Sequence, residues 1–425
     1  MNPVQIFQSL INTENLQKAS TVSLKPGQLL YGRVVKFMPN DTALIQIGNA
    51  RLFAQLKASL TTEDSYWFEV RSNGDDGTQL KVVEGKGQNV PADFLLKHFQ
   101  LPDTKQNTQL LQTFVTNNLP FTKGQLQTAA SWIGHSLDIK KETALEWMIK
   151  KDLPFTKQTF QSLVAVQDSE PLSQQLVKIA SNLENVNFSS LPTIQALTDK
   201  IATILGNHSV NELSTGSEVK HLLKSMIQTL GLEFESSLQL LSSDEKNTIE
   251  TLQSLKPLLM GAISELGSHG RALEPLLNRI TGMQLISQDL TGQMQQLIMQ
   301  LPLTIGNRQA DITLQWNGRK MKNGQIDPDY CRIFFYLDLQ SLQQTVIDMQ
   351  VQNRVVHVSV INDTKDLETI VGALTPVLKE KLNNIGYQLS FIHVVPPVDS
   401  MKMSSDQMTP AFFTKEFYQG VDVKI

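Results

Sequence analysis

The sequence of 425 residues predicts a multi-domain protein of α and β parts. These are a small antiparallel β-barrel of the OB or SH3 kind, a central helical region with a duplicated helical hairpin, and a C-terminal α+β domain carrying one helix on a small mixed sheet. Three observations predict it. Five short β-type runs separated by turn signals crowd into residues 25–84. Helical periodicity then runs to about residue 300 and contains one internal repeat. Beyond residue 301 strand patterns return, interrupted by a single amphipathic helix.

The first 24 residues read as a short amphipathic segment, with Val4, Ile6, Phe7, Leu10 and Ile11 on one helical face. Pro26-Gly27 opens the β-rich part. Leu29–Phe37, Ala43–Ile47, Arg51–Leu56, Tyr66–Arg71 and Gln79–Val83 read as strands, with a hairpin signal at Asn73-Gly74-Asp75-Asp76-Gly77. Gly85-Lys86-Gly87 reads as a hinge. In the helical region, 85–300, Leu119-Pro120-Phe121-Thr122-Lys123 recurs as Leu153-Pro154-Phe155-Thr156-Lys157, 34 positions on. Proline pushes the preceding residue out of the helical region, and Thr122 with Gln125 makes a capping box. Each unit therefore reads as a helix, a corner and a capped helix. Polar stretches at 184–190 and 206–217 mark a subdomain break near 184–216.

In the α+β domain, 301–395, Ala310–Trp316, Cys331–Leu339, Thr345–Val351 and Val355–Ile361 read as strands. Asn317-Gly318 or Asn323-Gly324 supplies one turn, and Asn353-Arg354 a two-residue hairpin turn. Asp366–Ile385 reads as a helix with Leu367, Ile370, Val371, Leu374, Leu378 and Leu382 on its core face, and Gly386 as its stop. Tyr387–Val395 is a last strand, and residues 396–425 form a polar tail with Phe412, Phe413, Phe417 and Tyr418.

The chemistry sought is not found. The formal charge is -4, so no global field recruits nucleic acid or an acidic membrane. Cys331 is the one cysteine, which excludes an intramolecular disulfide and a cysteine-based zinc site, and fits a reducing compartment. Residues 1–20 lack the cationic start and apolar core of a secretory signal, and no run is long enough to span a bilayer; Leu255–Ile263 is short and contains Pro257. There is no P-loop or dinucleotide turn, and the seven histidines are scattered. Ser217-Glu218-Val219-Lys220 has the spacing of an acyl-serine enzyme but none of its companion motifs, so Ser217 reads as a helix cap. Asp327-Pro328-Asp329 reads as a turn rather than a calcium loop. Met283, Met294, Met299 and Met349 read as core filler. The expectation is a non-enzymatic protein with no cofactor, no metal and no small-molecule substrate. Spaced carboxylates meeting in the fold would be the signature of an enzyme instead.

A nucleic-acid-binding barrel is the alternative. Lys25, Arg33, Lys36, Arg51, Lys57, Arg71 and Lys81 interleave with Tyr31, Phe37, Phe53, Trp67 and Phe68. A base-stacking OB surface uses such residues, while a core of aromatics under a solvated face uses them too.

Two stretches carry a family resemblance. One is Leu276-Leu277-Asn278-Arg279-Ile280-Thr281-Gly282-Met283-Gln284-Leu285 with Gln300-Leu301-Pro302-Leu303. The other runs from Cys331-Arg332-Ile333-Phe334-Phe335-Tyr336-Leu337-Asp338-Leu339 through Leu342, Val346-Ile347-Asp348-Met349 and Val356-His357-Val358-Ser359-Val360. It ends in Leu378-Lys379-Glu380-Lys381-Leu382-Asn383-Asn384-Ile385-Gly386-Tyr387-Gln388-Leu389. The order resembles the C-terminal domain of flagellar hook-length control (FliK-like) proteins, and Tyr418-Gln419-Gly420-Val421-Asp422 resembles the end of Gram-positive members. The resemblance implies a cytoplasmic chain, or one exported by the flagellar type III route. It implies a partner in the cytoplasmic domain of an export-gate protein, and a switch from hook to filament subunits. The family's Pro-x-Leu-Gly contact falls on Gln340-Ser341-Leu342-Gln343, where Leu342 matches. Leu339, Leu342 and Val346, with Phe412, Phe413, Phe417 and Tyr418, are then the expected partner-binding residues. A cytoplasmic scaffold unrelated to flagella is a further alternative.

Overall fold

The structure, a computed structural model, describes residues 24–39, 41–48, 50–56, 60–74, 77–86, 90–184, 191–206, 216–235, 252–287, 294–305, 308–321, 326–339 and 341–397. The amphipathic segment at the N-terminus and the aromatic tail lie outside them, as do most of both polar stretches. The chain divides into two compact units that meet in sequence at Phe160–Gln161.

The first unit begins with β1 (Gln28–Met38), β2 (Thr42–Ile47), β3 (Ala50–Leu56), β4 (Ser65–Gly74) and β5 (Gly77–Lys86). They close into a barrel in the order β1-β2-β3-β5-β4-β1. Four of the pairings are antiparallel, but β3 and β5 run parallel, so the expected all-antiparallel barrel is corrected. The reason is parity: an odd ring of strands cannot alternate direction at every step. β5 also continues through Lys86, opposite Tyr66, so the expected hinge at Gly85-Lys86 is strand. Inside the barrel Leu30, Val34, Ile45, Phe68 and Val70 form the core.

The same unit holds α1 (Ala92–Phe99), α2 (Lys105–Thr116), α3 (Lys123–Ile133) and α4 (Ile139–Lys150), and the start of α5 (Lys157–Ala165). Thr122 caps α3 in a full capping box with Gln125. The two copies of the repeat differ in what precedes the helix. Phe121–Thr122 is a short strand, β6, paired with Gln28 and Leu29 of β1. The Phe121 ring packs against Trp67, Phe99 and Phe114, and this tertiary seat overrides the helical context around it. In the second copy Phe155 and Phe160 stack on Trp132 instead.

The second unit contains α6 (Leu172–Glu184), α7 (Pro192–Gly206), α8 (Gly216–Leu230), α9 (Leu255–Leu266) and α10 (Glu274–Ser287), the last preceded by a 3-10 turn at Gly267–Leu273. Pro257 sits in the first turn of α9, where its missing N–H costs nothing, and the helix runs through. A sheet follows: β7 (Met294–Ile305), β8 (Arg308–Lys320), β9 (Ile326–Leu339), β10 (Gln343–Gln352) and β11 (Val355–Ile361), then α11 (Leu367–Asn384) and β12 (Gln388–Val395). Its order is β12-β11-β10-β9-β8-β7, antiparallel except for the parallel β11–β12 pair that α11 connects. Helix α10 packs on β7, as do α6 and α7.

Three expectations are corrected here. The helical region ends at Ser287, because Met294–Ile305 is a strand and Met294 and Met299 lie on it. Asn317-Gly318 is not a turn but part of β8. A Cβ on Gly318 would meet Ile326 Cγ2 at 2.2 Å, so glycine there serves the close approach of β9 beside a bulge. On α11, Leu367 is buried and Val371, Leu378 and Leu382 pack on the sheet core, but Ile370 and Leu374 do not join them: they are 54% and 60% exposed.

Candidate partner-binding site

The turn between β9 and β10 carries the residues expected to touch a partner. Leu339 pairs with Gln343, whose φ of 53° lets the chain reverse. Asn362, buried at the end of β11, holds this turn in place. Its Nδ2 donates to the Leu342 carbonyl at 2.7 Å, the Gln344 carbonyl at 3.3 Å and Thr345 Oγ1 at 2.8 Å. Its Oδ1 accepts from Thr364 N at 2.7 Å, and its own N–H donates to Val395 O at 3.1 Å. One residue therefore ties the turn to the ends of β11 and β12. Leu339 is half-buried, and Leu342 is half-buried against the core under α11. Val346 is buried with Phe334 and Tyr336, so its surface is not on offer. The tail residues Phe412, Phe413, Phe417 and Tyr418 lie outside the described residues.

Next to this turn is a small cleft of about 100 Å³, lined by Glu170, Arg279, Gln300, Asp311, Tyr336 and Thr345 among others. Sequence reading singled out Arg279 only as part of a motif. The structure buries it to 2% exposure and gives its guanidinium three acceptors: Gln300 Oε1 from Nε at 2.8 Å, and Glu170 O at 2.7 Å and Gln175 Oε1 at 3.2 Å from one terminal nitrogen. Burial pulls its pKa down, opposed by the charges of Asp311, Asp168 and Glu170. Asp311, on β8, accepts the Ser173 N–H at 3.1 and 3.3 Å, capping the start of α6 from outside the helix. Burial pushes its carboxyl above the ordinary value, while the Ser173 bonds and Arg279 work against the rise. A buried cation balanced by neighbouring carboxylates and carbonyls locks α6, α10 and β7–β8 together.

On the sheet face away from α11, Phe391 and His393 of β12 are exposed. Val356, Val358 and Val360 point to the core, so His357 and Ser359 point the other way. The Phe391 ring, 47% exposed, lies 4.5 Å from His357 and 5.2 Å from His393 between centroids. Ser359 Oγ and His393 Nε2 are 3.3 Å apart. A Ser–His pair works best as a nucleophile when a third group orients the imidazole. Asp348 stands opposite Ser359, but Arg332 takes both its oxygens, at 2.9 and 2.7 Å. Asp348 is therefore taken up by Arg332 and does not orient His393. Among the described residues there is no cluster of three metal-ligating side chains, and no helix is long and apolar enough to cross a membrane.

On the barrel, Trp67 and Phe68 are fully buried, Phe37 packs on the core, and Tyr31 leans on Trp67 at 5.5 Å. Phe53 is the exposed aromatic of the expected set. Arg33 pairs with Glu63 at 3.1 Å, Arg71 with Glu69 at 3.2 Å and Lys25 with Asp152 at 3.5 Å. Lys57 lies outside the described residues. This is a thin stacking platform for a nucleic acid.

No family model matches the chain, and no solved structure matches it. Among curated proteins it is similar to the uncharacterized protein YlqG of Bacillus subtilis (strain 168), with 22% identity over an alignment 549 positions long, gaps included. That alignment covers 94% of each chain, so the similarity extends over the barrel, the helices and the C-terminal sheet alike.

Proposed function

We propose that this chain is a non-enzymatic interaction protein related to flagellar hook-length control, which regulates flagellar type III export by binding an export-gate component. The observation that carries the reading is the β9–β10 turn. The one position of the family's contact motif that this sequence keeps, Leu342, sits on a turn that Asn362 holds rigid, with its side chain half-exposed. A contact motif needs that combination, since a fixed backbone lowers the ordering cost of binding. The finer reading of the barrel as an OB type, supported by its parallel β3–β5 closure, belongs to the same proposal. So does the reading of α2–α3 and α4–α5 as a duplicated hairpin. A cellular test follows from the family's role. In flagellated cells lacking this chain, hooks of abnormal length and delayed filament-subunit export are expected. Hooks of normal length with filaments assembled on schedule would overturn the proposal.

A further inference from the structure

Helix α11 carries more apolar surface than the sheet beneath it covers. Leu367, Val371, Leu378 and Leu382 make the contact with the core. About a quarter-turn round the helix lie Ile370, Leu374 and Val377, spaced i, i+4, i+7 and exposed by 54%, 60% and 51%. Ala373 beside them is exposed too, and a Cβ on Gly372 would meet nothing within 4 Å, so the ground around the stripe is low and open. Isolated exposed apolar residues are ordinary, but a contiguous helical stripe marks a surface that something covers.

The chain itself supplies the occupant. Strands β11 and β12 run parallel, and Ile361 stands opposite Val395. The chain therefore leaves β12 at the end of the sheet where α11 begins, and Asn362 N–H bonds Val395 O at 3.1 Å five residues before Leu367. Pro396-Pro397 follows, then residues 398–425 with Met401, Met403, Met408, Phe412, Phe413, Phe417 and Tyr418. Residues 398–411 can extend about 45 Å, and α11 is only about 27 Å long, so the aromatic group reaches every part of the stripe. Tethering gives it an effective concentration on the order of millimolar, which no weak free competitor matches.

We propose that the C-terminal tail docks in cis on the Ile370–Leu374–Val377 stripe of α11, through Phe412, Phe413, Phe417 and Tyr418. In the free chain this covers the stripe and holds the tail's aromatic residues back from other partners. The inference deepens the interaction reading by naming where the tail rests before a partner engages it.

The test uses the full chain with Cys331→Ser and two introduced cysteines. Leu374→Cys with Phe417→Cys is expected to form an intramolecular disulfide at least about ten-fold faster than Lys379→Cys with Phe417→Cys, because Lys379 lies on the far side of the helix. Equal rates would overturn the proposal. So would disulfide-linked dimers, which would make a second copy the occupant. Hydrogen exchange checks the same point without cysteines: amides of residues 367–384 are expected to exchange more slowly in the full chain than in one ending at Pro397. Equal protection would overturn it. Neither readout involves an export-gate component, so failure here and failure of the export reading are separately visible.

Discussion

Gly282 lies where α10 crosses α5, and no other residue fits there. A Cβ would stand 2.3 Å from Ser162 O and 2.7 Å from Val166 Cβ, against backbone and a core side chain. Gly282→Ala is expected to destabilise the second unit by about 1–3 kcal/mol in chemical denaturation, as overpacking does. Unchanged stability would contradict this close approach of the two helices. Asp311 makes a different prediction. Its pKa is raised in the folded chain, so its contribution to stability is fully present below the ordinary value of 3.8 and is lost as pH rises through the raised value. The stability of the wild type relative to Asp311→Asn is therefore expected to fall as pH climbs above that ordinary value. A difference that stays flat or grows would contradict the burial argument. Neither residue announced its role in the sequence. Gly282 and Arg279 stood out only through the resemblance, because the contacts that explain them come from Ser162 and Glu170, more than a hundred positions away.

Elements were legible where local chemistry and tertiary context agreed. The Asn353-Arg354 turn has φ of 49° and 64°, with Gln352 opposite Val355, as the two-residue spacing requires. A β-branched residue is strained in that region of backbone space. Arg354→Val is therefore expected to lower stability by about 1–3 kcal/mol, and a loss below the error of a denaturation curve would contradict the geometry. Met294–Ile305 was not legible as a strand, since its glutamines and methionines suit a helix and Pro302 argues against a central strand. It is an edge strand, where proline is tolerated, and Gly306-Asn307 between Ile305 and Arg308 was the unread signal of a hairpin. Helix α11 was read correctly in extent, but its apolar arc is wider than the sheet covers, and periodicity alone cannot tell a covered face from an open one. Asn362 is the least conspicuous of the important residues. Asn362→Ala removes the amide donor to the Leu342 carbonyl and Thr345, with an expected cost of about 1–3 kcal/mol and faster hydrogen exchange across residues 339–345.

At the scale of the molecule, three architectures occur in one chain, and the proposed partner contact belongs to the last of them. The barrel and its helices are stitched by Phe121 into one compact unit. The second unit hangs its sheet on α6, α7 and α10, with the turn that Asn362 holds at one end of it and an apolar stripe of α11 that the sheet leaves uncovered. The most direct test of the central claim is calorimetric titration of the full chain with the cytoplasmic domain of the flagellar export-gate switch protein. Saturable binding of about -8 kcal/mol or stronger is expected, corresponding to micromolar affinity, with a loss of roughly ten-fold or more on Leu342→Asp and an unchanged circular dichroism spectrum. No binding by the folded wild-type chain, or equal binding by Leu342→Asp, would contradict it.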